Sequence, residues 1–275
     1  VGMVSLAGIQ PGLWSIKEGN GRICPKLLDI AKATVHLSTP VKSITKKEDS
    51  ECDGAIQYTL ETAKGTSATF DAVIVAAPLQ LANIQFIGFK DTGSPTPGGE
   101  GEYHRTVATF VQATQVDPRY FTNGDNFDPK SPPDVLATTP SDYFTSVGLQ
   151  SPNHPGGSSK VDENYYSDSK CYKVFSNVPL EKDNVMKLFG GDESVKEVKS
   201  VDWRAYPEYN GFEKRAFSHF NLDPETGGAV AYTSPIEWAA SAMEMSCIGA
   251  NNAANLIASR LKGKNSGKSK ECPMQ

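Results

Sequence analysis

Ala72-Val73-Ile74-Val75-Ala76-Ala77 is an unbroken apolar run that Pro78 stops. So short a continuous run fits a strand covered on both faces, as in a parallel sheet flanked by helices. What precedes it is different in kind. Ile56, Tyr58, Leu60 and Thr62 alternate with Gln57, Thr59 and Glu61, the two-residue period of a half-buried strand. Ala63-Lys64-Gly65-Thr66 reads as a turn, and Ala68 to Phe70 continues the hairpin. An α/β class with antiparallel elements follows from this order.

A meander leading into a buried strand is how nucleotide-binding flavoprotein domains return to their parallel sheet, although many α/β proteins contain something similar. Elsewhere the signals are local. Strands begin after Val35. Ser5 to Gly21 reads as a loop, Lys26 to Ala33 as a short helix, and Asp91 to Gly101 as a Pro/Gly-rich link. Val107 to Gln112 and Val195 to Trp203 read as strands, Lys182 to Phe189 as a helix, and Thr122 to Pro140 and Ser151 to Ser169 as loops. The last strong element is a helix over about Ile236 to Leu261, with Met243, Cys247, Ala250, Ala254, Ile257 and Leu261 on one stripe. Its many small residues would let it approach a sheet or a ligand closely. Lys262 to Lys270 reads as a basic, loop-like tail.

Composition narrows the functional classes. A net charge of -5 gives no field for a phosphate backbone, so no nucleic-acid partner is expected. No apolar run reaches about 18 residues, so no transmembrane segment is expected. The five cysteines and four histidines show no metal-ligand spacing, so no metal is expected; buried or free thiols are the plain reading, with room for a bridge to another segment. Val1 to Leu6 has neither an initiator Met nor a basic region, and does not read as an intact secretory signal.

Three stretches carry a family resemblance. The first is Val4-Ser5-Leu6-Ala7-Gly8 with Gly12-Leu13-Trp14-Ser15-Ile16 and Gly19-Asn20. The second is Asp71 to Leu79, followed by Ile84-Gln85-Phe86. The third joins Trp203, Ala205-Tyr206-Pro207 and Tyr209 to the run Glu237 to Ser246. In this order they resemble the prenylcysteine oxidase (prenylcysteine or farnesylcysteine lyase) family. The resemblance implies the C-terminal part of a glutathione-reductase-like FAD-binding fold with an antiparallel-sheet substrate domain. It also implies a lysosomal or secreted FAD enzyme that cleaves prenylcysteines to cysteine, a prenyl aldehyde and hydrogen peroxide. The domains expected are 1–87 (loop, helix, meander and return strand of the FAD-binding domain), 88–230 (mainly substrate domain), 231–261 (FAD-proximal helix) and 262–275 (basic tail).

Two departures accompany the resemblance. No GxGxxG occurs in these residues, and Gly98-Gly99-Glu100-Gly101 does not supply one. The pyrophosphate loop is therefore expected on a missing N-terminal half, and the chain alone is not expected to be active. Glu18 stands where the family shows a glycine, which bears on flavin affinity.

The cofactor carries the electron chemistry in such a reaction, so no charged nucleophile is required; the catalytic general base is not legible. The family likeness places Glu237, Ser241, Ala242, Met243 and Glu244 beside FAD, at the entry to the final helix. Ala77 and Pro78 join them, because ligands sit outside the carboxyl ends of parallel strands. For each of these residues simple packing competes with contact. Trp14, Trp203 and Tyr206 are the substrate-binding candidates, set against the ordinary core or strand-end role of large aromatics. A different class of reading is a non-catalytic homologue that binds a lipid or pigment, or is a structural component of an assembly.

Overall fold

The computed structural model describes residues 16–17, 19–49, 55–89, 101–121, 136–137, 143–150, 169–209, 219–224 and 229–266. The Asp91–Gly101 link and the loops expected over Thr122–Pro140 and Ser151–Ser169 fall largely outside these residues. In chain order, a 3-10 turn (Asn20–Arg22) leads into α1 (Ile23–Ile30). Then come β1 (Val41–Asp49), β2 (Ala55–Thr62), β3 (Ser67–Phe70), β4 (Val73–Val75), α2 (Leu79–Ala82) and β5 (Gln85–Ile87). Next are β6 (Tyr103–Ala113), α3 (Pro118–Phe121), β7 (Leu136–Ala137), β8 (Ser146–Leu149), β9 (Lys170–Ser176) and α4 (Lys182–Phe189). The chain closes with β10 (Val195–Pro207), β11 (Val230–Tyr232), a 3-10 helix (Ser234–Trp238) and α5 (Met243–Ser266).

These elements form two compact units. One comprises the described residues of 34–102 and 206–275, the other those of 12–33 and 103–205.

The first unit holds the expected meander. Its sheet runs in the order β3-β2-β1-β5. β1 and β2 pair antiparallel from Val41↔Thr62 to Asp49↔Ala55, and β5 lies parallel to β1. Ile44 and Tyr58 point inward and are fully buried, as the alternation requires. Beside it, β4 and β11 form a parallel pair in register Val73↔Val230 to Val75↔Tyr232. Val73, Val75, Val230 and Tyr232 share one core with Ile44, Tyr58, Leu79 and Leu222.

Polar groups tie this core together. Lys46 Nζ donates to Asp223 Oδ1 at 2.9 Å, with the two side chains only 5% and 4% exposed. The Tyr58 hydroxyl donates to Asp223 Oδ2 at 3.0 Å and accepts the Ala229 N–H at 2.9 Å. Burial, then the Asp223 charge, pushes the Tyr58 phenol far above the ordinary tyrosine range.

Three expectations are corrected in this unit. The apolar run 72–77 yields strand over Val73–Val75 alone, and Ile74 is 46% exposed, so the strand is covered on one face in this chain. The final helix is not continuous from Ile236: the 3-10 helix stops at Trp238, and α5 starts at Met243. It then continues to Ser266, through part of the expected loop-like tail.

The packed stripe of α5 is also displaced. Met243 and Ile248 are exposed, as is Cys247, whereas Gly249 and Ala253 are buried and Ile257 packs on the core. A Cβ added at Gly249 would stand 2.9 Å from Ile236 Cγ2 and 3.0 Å from the Thr233 carbonyl oxygen. The contact therefore selects the smallest residues, which an apolar stripe undervalues.

The second unit is built on a sheet of order β10-β6-β9-β8-β7. α4 covers one face, burying Val185, Leu188 and Phe189 against Val111, Tyr172 and Val174. Burial of side chains this size contributes about 1.5–3 kcal/mol each. Gly190, at φ 79°, ends the helix, and Gly191 N–H closes back on the Met186 carbonyl at 2.7 Å.

Candidate functional site

β4 and β11 run parallel, so the segments leaving their carboxyl ends start side by side. Thr233 N–H donates to the Val75 carbonyl at 3.1 Å, and Leu79 N–H donates to the Tyr232 hydroxyl at 3.2 Å. Ala77 and Pro78 lie on the first segment; Ala77 is exposed and Pro78 half-buried. The second segment passes through the 3-10 helix and the turn 239–242 into α5.

Tyr209 holds that turn. Its hydroxyl donates to the Glu237 carbonyl at 2.8 Å and accepts the Ser241 N–H at 3.1 Å. One phenol therefore spans the turn from its entry to the foot of the helix. Burial raises the Tyr209 pKa, with the Glu237 carboxylate and Tyr206 adding to the rise and the Ser241 N–H opposing it. Tyr206 stacks on Tyr209, with centroids 6.3 Å apart and planes 11° apart. The sequence marks Tyr206, Glu237 and Ser241 separately; the structure joins them through Tyr209, a motif residue to which sequence reasoning assigns no role. The Tyr-Pro-x-Tyr spacing was the available signal.

Of the remaining candidates, Ala242 is half-buried, while Met243 (59%) and Glu244 are exposed in the first turn of α5. The Ala242 carbonyl accepts both the N–H and the hydroxyl of Ser246, at 3.0 and 3.2 Å. The small residues at 239–242 leave the start of a 24-residue helix accessible. Such an end carries partial positive charge, which the Glu244 carboxylate partly offsets.

Trp203 belongs to the second unit. It is 39% exposed on β10, its ring 6.5 Å from that of Phe175. Trp14 and Glu18 lie outside the described residues. Among the described residues, no group of three or more His, Cys, Asp or Glu is placed to hold a metal ion, and no helix is long and apolar enough to cross a membrane.

A dinucleotide such as FAD can be tested against these features. An accessible helix start, small flanking residues and a clamped turn at the carboxyl end of a parallel pair fit part of an anionic dinucleotide. A glycine-rich pyrophosphate loop is not among the 275 residues. The fit is to one portion of the cofactor.

Residues 1–270 match the family model described as prenylcysteine lyase. A farnesylcysteine lyase of Arabidopsis thaliana is 34% identical over 268 residues, covering 96% of this chain and 46% of the relative. Prenylcysteine oxidase 1 of Bos taurus is 33% identical, covering 96% of this chain and 50% of the relative. The chain thus spans about half the length of the curated relatives it matches. Among solved structures, a cyclohexylamine oxidase from Brevibacterium oxydans aligns with 89% of this chain and 53% of its own, at 14% identity and a TM-score of 0.49. A likeness that faint carries no functional argument.

Proposed function

The chain belongs to the prenylcysteine lyase family, and from that premise we propose that it is the C-terminal part of an FAD-dependent thioether oxidase acting on prenylcysteines. The observation that carries the reading is the family match across residues 1–270. In the proposed reaction, prenylcysteine, dioxygen and water give cysteine, prenyl aldehyde and hydrogen peroxide. Bound flavin would supply the two-electron oxidation.

The protein's share is to position and to desolvate. In the proposed glutathione-reductase-like arrangement, Ala77 and Pro78 border the cofactor at the end of β4, and Glu237 and Ser241 border it across the clamped turn. Ala242, Met243 and Glu244 offer backbone N–H groups at the start of α5. Trp203 faces the substrate; Tyr206, three residues on and so on the opposite side of β10, backs the clamped turn through its stack on Tyr209. A missing N-terminal half supplies the pyrophosphate loop and further parallel strands. That proposal draws support from the β4–β11 pair, three residues long, whose Ile74 is left half exposed; parallel sheets are ordinarily covered on both faces. A lysosomal or secreted location belongs to the same proposal and rests on the family likeness.

The test is Ala242→Phe in the complete protein containing both halves. Flavin content per folded molecule is read alongside a thermal melt. Loss of flavin with little change in melting supports the assignment. Normal flavin with a lowered melting temperature makes the turn a packing element and removes it.

A further inference from the structure

Between Trp238 and Met243 the chain passes from a 3-10 helix to an α-helix. Ala239, Ala240 and Ala242 have no polar side-chain atom, so they can hold this turn only through the backbone. The N–H groups of Ala239 and Ala240 both bond to the Ile236 carbonyl, at 3.0 and 3.2 Å, which finishes the 3-10 helix. On the far side the Ala242 carbonyl accepts the Ser246 N–H at 3.0 Å, so Ala242 stands at the N-cap of α5. Alanine is a poor residue there, because it offers no side-chain oxygen to the first helical N–H groups. Ser241 lies between these two sets of bonds, and its N–H is the one that the Tyr209 hydroxyl takes.

The backbone that delivers Tyr209 is itself anchored. The ring of Pro207 fixes its φ, and the Glu208 N–H donates to the Glu102 carbonyl at 2.8 Å. Tyr206 stacks within 11° of coplanar on Tyr209 and so sets the plane of the ring. The hydroxyl then commits both its proton and a lone pair to the turn, donating to Glu237 and accepting from Ser241. Burial raises the pKa of this phenol, which keeps it protonated and able to donate.

We propose that Tyr209 is a positioning residue for the cofactor: its hydroxyl sets where the first N–H groups of α5 point, and so where the anionic dinucleotide sits, without itself touching it. This rests on the FAD-dependent reading above, which gives contacts to the turn and to α5 but none to Tyr209. A turn released from the hydroxyl keeps its binding shape only part of the time, and apparent affinity falls by that fraction.

The experiment measures FAD affinity and the visible circular dichroism of bound FAD in the complete protein, at a temperature where every variant is folded. Tyr209→Phe deletes one oxygen. It is expected to weaken FAD binding by about tenfold, as for a turn in its binding shape about a tenth of the time, and to alter the dichroism of the flavin still bound. Leu188→Ala controls for stability alone. It truncates a fully buried side chain in the core of the second unit and should lower the melting temperature at least as much, with affinity and dichroism unchanged.

Both changes in Tyr209→Phe together support the proposal, and the absence of either overturns it. Equal changes in Leu188→Ala also overturn it, because the effect is then one of stability. Should Tyr209→Phe not fold, Tyr206→Leu decides, since it keeps the hydroxyl and removes the stack that orients it. A loss of FAD affinity of about threefold supports the proposal; an unaltered affinity overturns it. A complete protein that binds no FAD sinks the oxidase reading and this proposal with it, whereas bound FAD that is indifferent to Tyr209→Phe sinks this proposal alone.

Discussion

The hydroxyl of Tyr209 accepts the backbone N–H of Ser241 at 3.1 Å. The same oxygen donates to the Glu237 carbonyl at 2.8 Å. One side chain therefore ties together the two ends of the turn before α5, beside the Ala239 and Ala240 N–H bonds to the Ile236 carbonyl. Tyr209→Phe keeps the ring and its stack on Tyr206 but leaves two half-buried backbone groups without this partner. A loss of about 1–3 kcal/mol in unfolding free energy is expected, together with faster amide exchange at Ser241. Unchanged exchange at Ser241 would show that the turn holds itself.

The Lys46–Asp223 pair makes a second test. Lys46→Met leaves a carboxylate that is 4% exposed without its cation, and a loss of about 3–5 kcal/mol is expected in denaturant unfolding. Replacing both partners, as Lys46→Met with Asp223→Leu, should recover most of that loss, apart from the bond that Tyr58 then lacks. A double variant as weak as the single one would mean that the pair itself, and not the stranded charge, carries the stability.

Gly249→Ala reverses the usual ranking. In a helix interior alanine is favoured over glycine by about 1 kcal/mol. Here the added methyl would stand 2.9 Å from Ile236 Cγ2, so a net loss of about 1–3 kcal/mol is expected. Ile236→Val in the same chain should restore part of it. A stabilised Gly249→Ala would contradict the close packing of α5 on the 3-10 helix.

Tyr58 gives the fold an alkaline limit. Its phenol is raised by burial and by the Asp223 charge, so between the ordinary tyrosine value and the folded one the unfolded chain holds fewer protons than the folded chain. Stability is then fully present below about pH 10 and falls as pH rises beyond it. Unfolding free energy measured from pH 9 to 11 should decline, and less steeply in Tyr58→Phe. Parallel declines in the two proteins would remove Tyr58 as the cause.

Much of this was legible where a segment's neighbours in sequence decide its state. The hairpin of β2 and β3 follows from alternation around Gly65, and α4 occupies Lys182–Phe189 as its spacing indicates. The break at 239–242 was not legible. Ala239, Ala240 and Ala242 are good helix formers, and the residue that holds the turn lies 28 and 32 positions upstream. Lys46 in Lys46-Lys47 reads as a solvated charge; its partner stands 177 residues further on. Val107 to Gln112 and Val195 to Trp203 read as strands, but β9 over Lys170–Ser176 was not read, nor that Phe110, Phe175 and Trp203 would share one face. That is a matter of register between strands, which periodicity within a strand does not contain.

The most direct test of the account uses the complete protein, S-farnesylcysteine and air, with cysteine, farnesal and hydrogen peroxide measured together. The expected result is flavin-dependent formation of the three products in equal amounts, abolished when flavin is removed and regained when it is returned. Retention of flavin with S-farnesylcysteine recovered intact would contradict an oxidase, and would leave a protein that keeps the family fold to bind its ligand without converting it.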